Sequence, residues 1–338
     1  MKKITTIISF LIFAVFVQTQ VFSQTYTSIS DAVADSKNVK ILDLQGQNIS
    51  NLSEDIAKLS NLEILYLYDN NLTSLPAEIG KLKNLKELYL DGNKITSLPA
   101  DIGSLTNLEI FSVSRNKLTT IPPNVGKLKK LQIFILSENN ISSVPPELGE
   151  LPELLELDLG KNNLASFPVD FGNLKKLEIL YLDNNNFSNF PVQVFNFTNL
   201  IKLGLDDNKI GELPANISSL SNLKELRLAN NSLQKLPASI GSLGKLQFLY
   251  LYKNKLKTLP TTIGNLSEII LIDISNNRLT ALPDEISKLN KCTEMNFCNN
   301  NLSQIPVEFE KLSSLNNLGI SNNPITVKPV FLGKLNLY

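Results

Sequence analysis

The chain contains no histidine and no tryptophan, and it has only two cysteines and two methionines in 338 residues. The absence of histidine excludes Ser-His-Asp and Cys-His nucleophiles and every metal site built on imidazole. The sequence also has no Walker phosphate loop and no G-x-G-x-x-G motif after a strand. Paired carboxylates need no histidine for acid–base work, so they remain open as a catalytic arrangement.

An excess of charge is also absent, because 32 basic residues balance 32 acidic ones. A surface for nucleic acid or for an anionic membrane would need a basic excess. We therefore predict no nucleic-acid partner. The composition and motifs likewise indicate no cofactor and no metal.

The apolar run from Ile4 to Val17 is shorter than the ~20 residues that a membrane span needs. It follows Lys2 and Lys3 and precedes a small residue, Ser23, which predicts a secretory signal peptide at residues 1–23. An uncleaved membrane anchor is the alternative. We therefore expect a secreted or cell-surface protein, with the periplasm left open, and no membrane span after signal cleavage.

Two residue types recur with a period of 23 residues along the chain. The first series begins with Gln47 and continues as Asn70, Asn93, Asn116, Asn139, Asn162, Asn185, Asn208, Asn231, Asn254, Asn277, Asn300 and Asn323. The second series is Pro76, Pro99, Pro122, Pro145, Pro168, Pro191, Pro214, Pro237, Pro260, Pro283, Pro306 and Pro329. Two series that share one period predict a solenoid built from repeats.

The repeat unit shows where strands and turns should lie. Residues 85–95 read LKELYLDGNKI, in which Leu88 and Leu90 alternate with outward-facing residues, as expected for a half-buried strand. The proline that follows suits a turn or a first helical position. We expect a tight convex turn at the glycines that recur in the same register, Gly80, Gly103, Gly126, Gly149, Gly172, Gly241, Gly264 and Gly333.

The stretch LKELYLDGNKI resembles the leucine-rich repeat pattern L-x-x-L-x-L-x-x-N-x-L, and the following LPxxIGxL is similar to the 23-residue, Ras-group type. The resemblance covers residues 39–338. It implies an α/β fold, a curved solenoid or horseshoe. A parallel β-sheet would line the concave face, and short helical, 3-10 or irregular turns the convex face. It also implies that the asparagine side chains form a structural ladder, in which they turn inward and bond backbone groups after each strand.

The expected organisation is a signal peptide at 1–23, an N-terminal helical cap at 24–38 and a domain of 13 repeats at 39–338. In the cap, Ser28 or Ser30 would cap a short amphipathic helix. Either the last turn serves as the C-terminal cap or the natural protein is longer, and a next strand is expected to begin only at Tyr338.

Cys292 and Cys298 lie at opposite ends of one predicted strand segment, roughly 20 Å apart. A disulfide needs Cα atoms within about 7 Å, so we predict two free thiols. The cysteine-rich caps of many eukaryotic extracellular relatives are absent, which favours a bacterial source.

Six of the eight tyrosines fall at positions that the register turns to the concave side. Tyrosine is enriched at binding hot spots but is also common on exposed strands, so both interpretations stay open. Ile64, Ile110, Ile133, Ile135 and Ile179 add apolar area beside them. The candidate aromatic binding residues are Tyr66, Tyr68, Tyr89, Tyr181, Phe248, Tyr250 and Tyr252.

A second group of candidate binding residues is acidic and comprises Asp158, Asp183, Asp206 and Asp207, on neighbouring strands. Like charges so close would cost stability unless a cation, a basic partner, or Lys161 and Lys202 offset them. Three interpretations remain: a solvated cluster, a contact for a basic partner, or a Ca²⁺ site, although Ca²⁺ requires six to eight oxygens.

A solenoid of this kind presents an open curved surface rather than a closed pocket, so we predict a non-catalytic binding protein. The leading hypothesis is a monomer that binds a protein partner through its concave face. Binding of a surface polysaccharide and a structural scaffold without a discrete ligand are the alternatives.

Overall fold

The computed structural model describes residues 25–326 and 329–338, so the predicted signal peptide lies outside the described residues. One curved, open sheet of fifteen parallel strands runs through the described chain, and each strand pairs with its neighbours in sequence. The predicted solenoid fold is thereby confirmed. In chain order, β1 to β15 are Thr25–Tyr26, Ile41–Asp43, Ile64–Tyr66, Glu87–Tyr89, Ile110–Ser112, Ile133–Ile135, Glu156–Asp158, Ile179–Tyr181, Lys202–Gly204, Glu225–Arg227, Phe248–Tyr250, Leu271–Asp273, Glu294–Asn296, Asn317–Gly319 and Asn336–Leu337.

Short 3-10 helices form the convex side, one after nearly every strand. Proline directly precedes each of them except the first, with φ near −65°. The helices are Glu54–Lys58, Ala77–Lys81, Ala100–Ser104, Pro123–Lys127, Pro146–Glu150, Val169–Asn173, Val192–Asn196, Ala215–Ser219, Ala238–Ser242, Thr261–Asn265, Asp284–Lys288, Val307–Lys311 and Val330–Lys334.

A continuous hydrophobic core lies between the sheet and the 3-10 helices. In each repeat the aliphatic residues of the pattern point into it, as Leu85, Leu88 and Leu90 do. The strand register places Leu88 beside Leu65 and Phe111, so each layer of the core packs on the next. No repeat could bury these side chains alone, and stability therefore depends on stacking.

Each asparagine of the series lies four residues after the end of a strand. The amide nitrogen of Asn162 donates to the carbonyls of Leu136 at 3.0 Å, Leu159 at 3.1 Å and Gly160 at 3.2 Å. Its oxygen accepts from the backbone N–H of Ile141 at 2.9 Å. The same contacts recur through the array. Gln47, in the first repeat, is exposed and donates to a backbone carbonyl at 2.8 Å.

A second set of asparagines, which the repeat pattern alone did not reveal, joins neighbouring repeats on the flank where each strand begins. Asn84 donates to the carbonyl of Ser60 at 2.9 Å, and Asn107 to that of Lys83 at 2.8 Å. These bonds satisfy carbonyls of the preceding repeat, 24 residues earlier, and so fasten the flank of the solenoid.

Glycine occurs on the convex side because neighbouring repeats approach closely there. It is not needed there for an unusual backbone φ. A Cβ at Gly149 would lie 2.0 Å from the carbonyl oxygen of Asp170 in the next repeat. Positive φ among the glycines is confined to Gly46 and Gly92 within the described residues. The expected tight turns are present as 3-10 helices, but glycine is needed in them for the close approach of the next repeat. Where Phe195 replaces glycine, its 3-10 helix approaches the next one less than most of the other helices do.

Gly149→Ala should destabilise the protein by about 1–3 kcal/mol, because the added methyl group would overlap the backbone of the next repeat. Gly333→Ala is the matched control, since a Cβ at Gly333 meets nothing within 4 Å. Urea denaturation of both variants checks this. Equal stability of the two would show that close approach does not explain the glycine series.

The N-terminal segment contains the expected helix and one strand more than expected. The helix α1, Ile29–Ala34, is capped by Ser28, whose hydroxyl accepts from the N–H of Asp31, and it buries Ala32. Before it, β1 pairs with β2 and extends the sheet into the segment predicted as a purely helical cap. Thr25 is exposed and Tyr26 is buried, which is the alternation expected of a strand, but two residues are too few to predict one.

The last repeat also differs from the prediction. Its strand β15 pairs with β14 through Asn336 and Asn317, which are 19 residues apart instead of 23. The strand therefore begins at Asn336, before the expected Tyr338. Tyr338 instead donates from its hydroxyl to the Glu294 carboxylate at 2.9 Å. A shortened turn moves the register by four residues.

Both cysteine thiols are free and buried, as the spacing predicts. Cys292 packs in the core before β13, and burial raises the pKa of its thiol to about 12. Along the described stretches of the chain, no helix has the length and apolarity required to span a membrane.

Candidate functional site

Three rows of side chains line the concave side of the sheet, and we call them together the concave face. In each repeat they are the residues before, between and after the two buried strand positions. Around Leu88 and Leu90, for example, they are Glu87, Tyr89 and Asp91. Most side chains of the three rows are half-buried, because neighbouring strands crowd them on both sides.

Tyr66, Tyr68 and Tyr89 form an aromatic group on β3, β4 and the residues that follow β3, and we call it the first aromatic cluster. The rings of Tyr66 and Tyr89 stack with centroids 5.2 Å apart and an interplanar angle of 20°. Tyr68 meets Tyr66 edge-on at 6.1 Å. Offset stacking and edge contacts are both favourable geometries for aromatic pairs.

Tyr89 differs from the other two because it retains only 8% of its exposed surface. Its ring is covered by Tyr66, and its hydroxyl donates to the Glu87 carboxylate at 2.9 Å. Tyr89 therefore supports the ring of Tyr66, and it offers a partner little surface of its own. The predicted isoleucines Ile64, Ile110, Ile133, Ile135 and Ile179 lie in the first and middle rows and are half-buried.

Phe248, Tyr250 and Tyr252 form the second aromatic cluster, on β11 and just after it. All three side chains are half-buried. The guanidinium carbon of Arg227, on β10, lies 5.9 Å from the centroid of the Tyr250 ring, within the range of a cation–π contact. Tyr181 belongs to neither cluster and stands alone on β8, between Asp158 and Gly204 in the middle row.

The structure brings three of the four predicted aspartates together on the concave face. Asp158 accepts from the N–H of Gly160 at 2.8 Å, and Asp183 accepts from the N–H of Asp206 at 2.7 Å. Asp207 does not join them. It is exposed in the turn after β9, where its φ of 55° directs the side chain to Asn230.

The basic residue that offsets the central aspartates is Arg227, and the two predicted lysines have other partners. Arg227 contacts the Asp206 carboxylate at 2.7 Å. Lys161 pairs instead with Glu138 at 2.9 Å, and Lys202 lies 3.8 Å from Glu225. The signal for Arg227 was its position in the middle row, one strand beyond Gly204.

Burial changes the protonation of these carboxyl groups. It raises the pKa of Asp183 to about 7, and the negative charge of Asp206 adds to the rise, while Arg227 opposes it. Burial also raises the pKa values of Asp158, Asp206 and Glu156. Each shift follows from the loss of water around a charged form. Within the residues that the structure describes, no group of three or more acidic or cysteine side chains could hold a metal ion.

The concave face as a whole is acidic. Its two basic side chains are Lys202 and Arg227. Its ten carboxylates are Asp43, Glu87, Asp91, Glu156, Asp158, Asp183, Asp206, Glu225, Asp273 and Glu294.

Comparisons with protein families assign nearly all of the described chain to one kind of repeat. A family model for leucine-rich repeat regions matches residues 23–117 and 192–269. Two further leucine-rich repeat models match residues 129–187 and 264–325, and residues 107–128. No curated protein matches the sequence.

Several solved structures share the fold. A leucine-rich repeat protein of Leptospira interrogans is 30% identical with a TM-score of 0.72, over 93% of this chain and 99% of that chain. The plant peptide hormone receptor RGFR1, in complex with RGF2, is 27% identical with a TM-score of 0.73, over 92% of this chain and 56% of the receptor chain. An internalin of Listeria monocytogenes is 21% identical with a TM-score of 0.67, over 85% of this chain and 88% of that chain.

Proposed function

The chain belongs to the leucine-rich repeat family, and from that premise we propose that it binds a protein partner through its concave face, without catalysis. The observation that carries the proposal is the pair of aromatic clusters on this face. Their rings are half-buried on the sheet and keep part of their surface open to solvent, with Tyr89 as the exception. Rigid aromatic side chains contribute large contact areas at a small cost in conformational entropy.

The related plant receptor supports this proposal, since its structure holds the complex with RGF2. The chain spans about half of that receptor, so the comparison concerns the repeat array alone. Within the array, the two clusters lie on β3–β4 and β11. A partner that touched both would cross most of the concave face.

We also infer that the protein acts outside the cytoplasm, on the basis of the charged start and short apolar run of residues 1–23. N-terminal sequencing of the exported protein would distinguish cleavage before Gln24 from an uncleaved anchor.

Replacement of Tyr250 and Tyr252 by alanine should weaken partner binding at least about tenfold, because hot-spot aromatics contribute more than 1 kcal/mol each. The measurement is quantitative capture of partners from extracts by the parent and by the double variant, followed by titration of the captured protein. The free energy of unfolding should change little, because neither ring lies in the hydrophobic core.

The matched control is Val169→Ala with Val192→Ala, which removes two exposed apolar side chains from neighbouring convex 3-10 helices. This variant should bind like the parent. An equal loss of partner binding in both double variants would argue against the concave face as the binding surface. Binding to a glycan on an array, with no protein captured, would favour the polysaccharide alternative.

A further inference from the structure

The concave face has a charge that the whole chain does not have. Ten carboxylates against two basic side chains give this face a net formal charge of −8. The complete chain is balanced at 32 against 32, so the residues outside this face carry a net formal charge of +8, of which Lys2 and Lys3 of the predicted signal peptide supply two. A concave surface of one sign concentrates the field in front of it and attracts a partner of the opposite sign.

Within the described chain, most of these carboxylates make no ion pair with a basic side chain. Over residues 25–326 and 329–338, only Asp206 and Glu225 of the ten lie within 4 Å of a basic side chain. Asp158 and Asp183 accept hydrogen bonds from backbone N–H groups, which are neutral donors. Strands lie about 4.8 Å apart, so neighbouring carboxylates repel each other across the sheet. A basic partner would relieve that repulsion.

Two glycines make room for the central carboxylates on this face. A Cβ at Gly204 would lie 2.5 Å from one carboxylate oxygen of Asp183, and a Cβ at Gly160 would lie 3.1 Å from a carboxylate oxygen of Asp158. The carboxylates thus spread over positions that any other residue would occupy. The ring of Tyr181 borders the same recess, since one of its carbons would lie 3.0 Å from the Gly204 Cβ.

We propose that the partner is a basic polypeptide segment that lies along the concave face, with a basic side chain at Asp158 and Asp183 and apolar side chains on the two aromatic clusters. This inference rests on the proposed function and specifies the chemistry of the partner. The clusters on β4 and β11 are seven strands apart, or about 34 Å at the usual spacing. An extended segment of about ten residues spans that distance, which a small cation does not.

A direct test uses a fluorescent peptide of about twelve residues with alternating arginine and glycine, and its glutamate counterpart, in anisotropy titrations. The arginine peptide should bind, and its affinity should fall when salt rises from about 50 mM to about 300 mM. Asp158→Asn with Asp183→Asn should weaken binding about five- to tenfold. Asparagine keeps an acceptor for both backbone N–H groups, so the fold should persist.

The matched control is Asp101→Asn with Asp170→Asn, which makes the same charge change on exposed convex 3-10 helices and should cost less than about twofold. The inference is overturned if the arginine peptide does not bind, if the glutamate peptide binds equally, or if both double variants weaken binding alike. These failures would leave the proposed function intact, because a neutral or acidic partner could still require Tyr250 and Tyr252. If instead the arginine peptide binds as expected but the Tyr250 and Tyr252 substitutions do not weaken partner binding, the proposed function is contradicted. The attraction of basic peptides to the acidic face would then stand without it.

Discussion

Asn162→Leu should lower the free energy of unfolding by about 2–6 kcal/mol, although leucine is similar in size and more hydrophobic. The asparagine amide satisfies the N–H of Ile141 and the carbonyl of Leu136, and it also bonds the carbonyls of Leu159 and Gly160. Leucine can replace none of these bonds. Each buried partner left without a hydrogen bond costs about 1–3 kcal/mol. Urea denaturation followed by circular dichroism measures the change.

Asn163→Leu provides the control for this substitution. The two residues are adjacent and undergo the same chemical change, but Asn163 is exposed. Surface substitutions usually alter stability by less than about 0.5 kcal/mol. Equal denaturation midpoints for the two variants would mean that the buried amide does not hold the repeats together.

The sequence was sufficient to predict the solenoid, because a solenoid requires only that one unit recur in one register. Leu88 and Leu90 identify a strand by their alternation, and Asn93 marks its end. Each repeat then packs on two copies of itself, so the local pattern determines the neighbours as well. The prediction was wrong where the repetition ends. At β1 and β15 the segments lack a full unit, and their pairing depends on contacts with one neighbour only.

The sequence was sufficient to predict in which row of the concave face each candidate residue lies. It was not sufficient to predict which side chains contact each other. The period put Tyr66, Tyr250 and Asp183 on the concave side, because the two-residue alternation of a strand fixes the face. It could not show that Tyr66 covers Tyr89 or that Arg227 reaches Asp206. Both contacts depend on how long side chains bend across neighbouring strands. The repeat period determines the row in which a side chain lies, but it does not determine the rotamer of that side chain.

The backbone of the turn after each strand from β2 to β14 has a positive φ, for which most repeats use Asn, Asp or Gly but four do not. Arg115, Glu138 and Lys161 have positive φ values between 52° and 57°, a conformation that such residues rarely adopt. Each precedes an asparagine of the ladder, whose amide bonds hold the turn. The ladder and the stacking therefore determine the backbone against local preference, and for the same reason Asp207 points away from Asp183.

Asp183 should lower the stability of the protein as pH rises from about 4 to about 7, and Asp183→Asn should remove that contribution. Burial, with the neighbouring charges of Asp206 and Asp158, raises the pKa of Asp183 to about 7 in the folded protein, against 3.8 in the unfolded chain. Between these values the folded state keeps a proton that the unfolded state has released. Stability from this group is therefore complete below the unfolded pKa and falls as pH rises through the folded pKa.

A difference of about three pKa units corresponds to about 4 kcal/mol at pH 8. Because asparagine stays neutral, the free energy of unfolding of Asp183→Asn relative to the parent should rise by roughly that amount from about pH 4 to pH 8. Urea denaturation at several pH values measures it, and Asp170→Asn, an exposed convex substitution, should show no such trend. A constant difference between Asp183→Asn and the parent would show that the folded protein accepts the charge. The central carboxylates would then be hydrated, and the repulsion that a basic partner is proposed to relieve would be small.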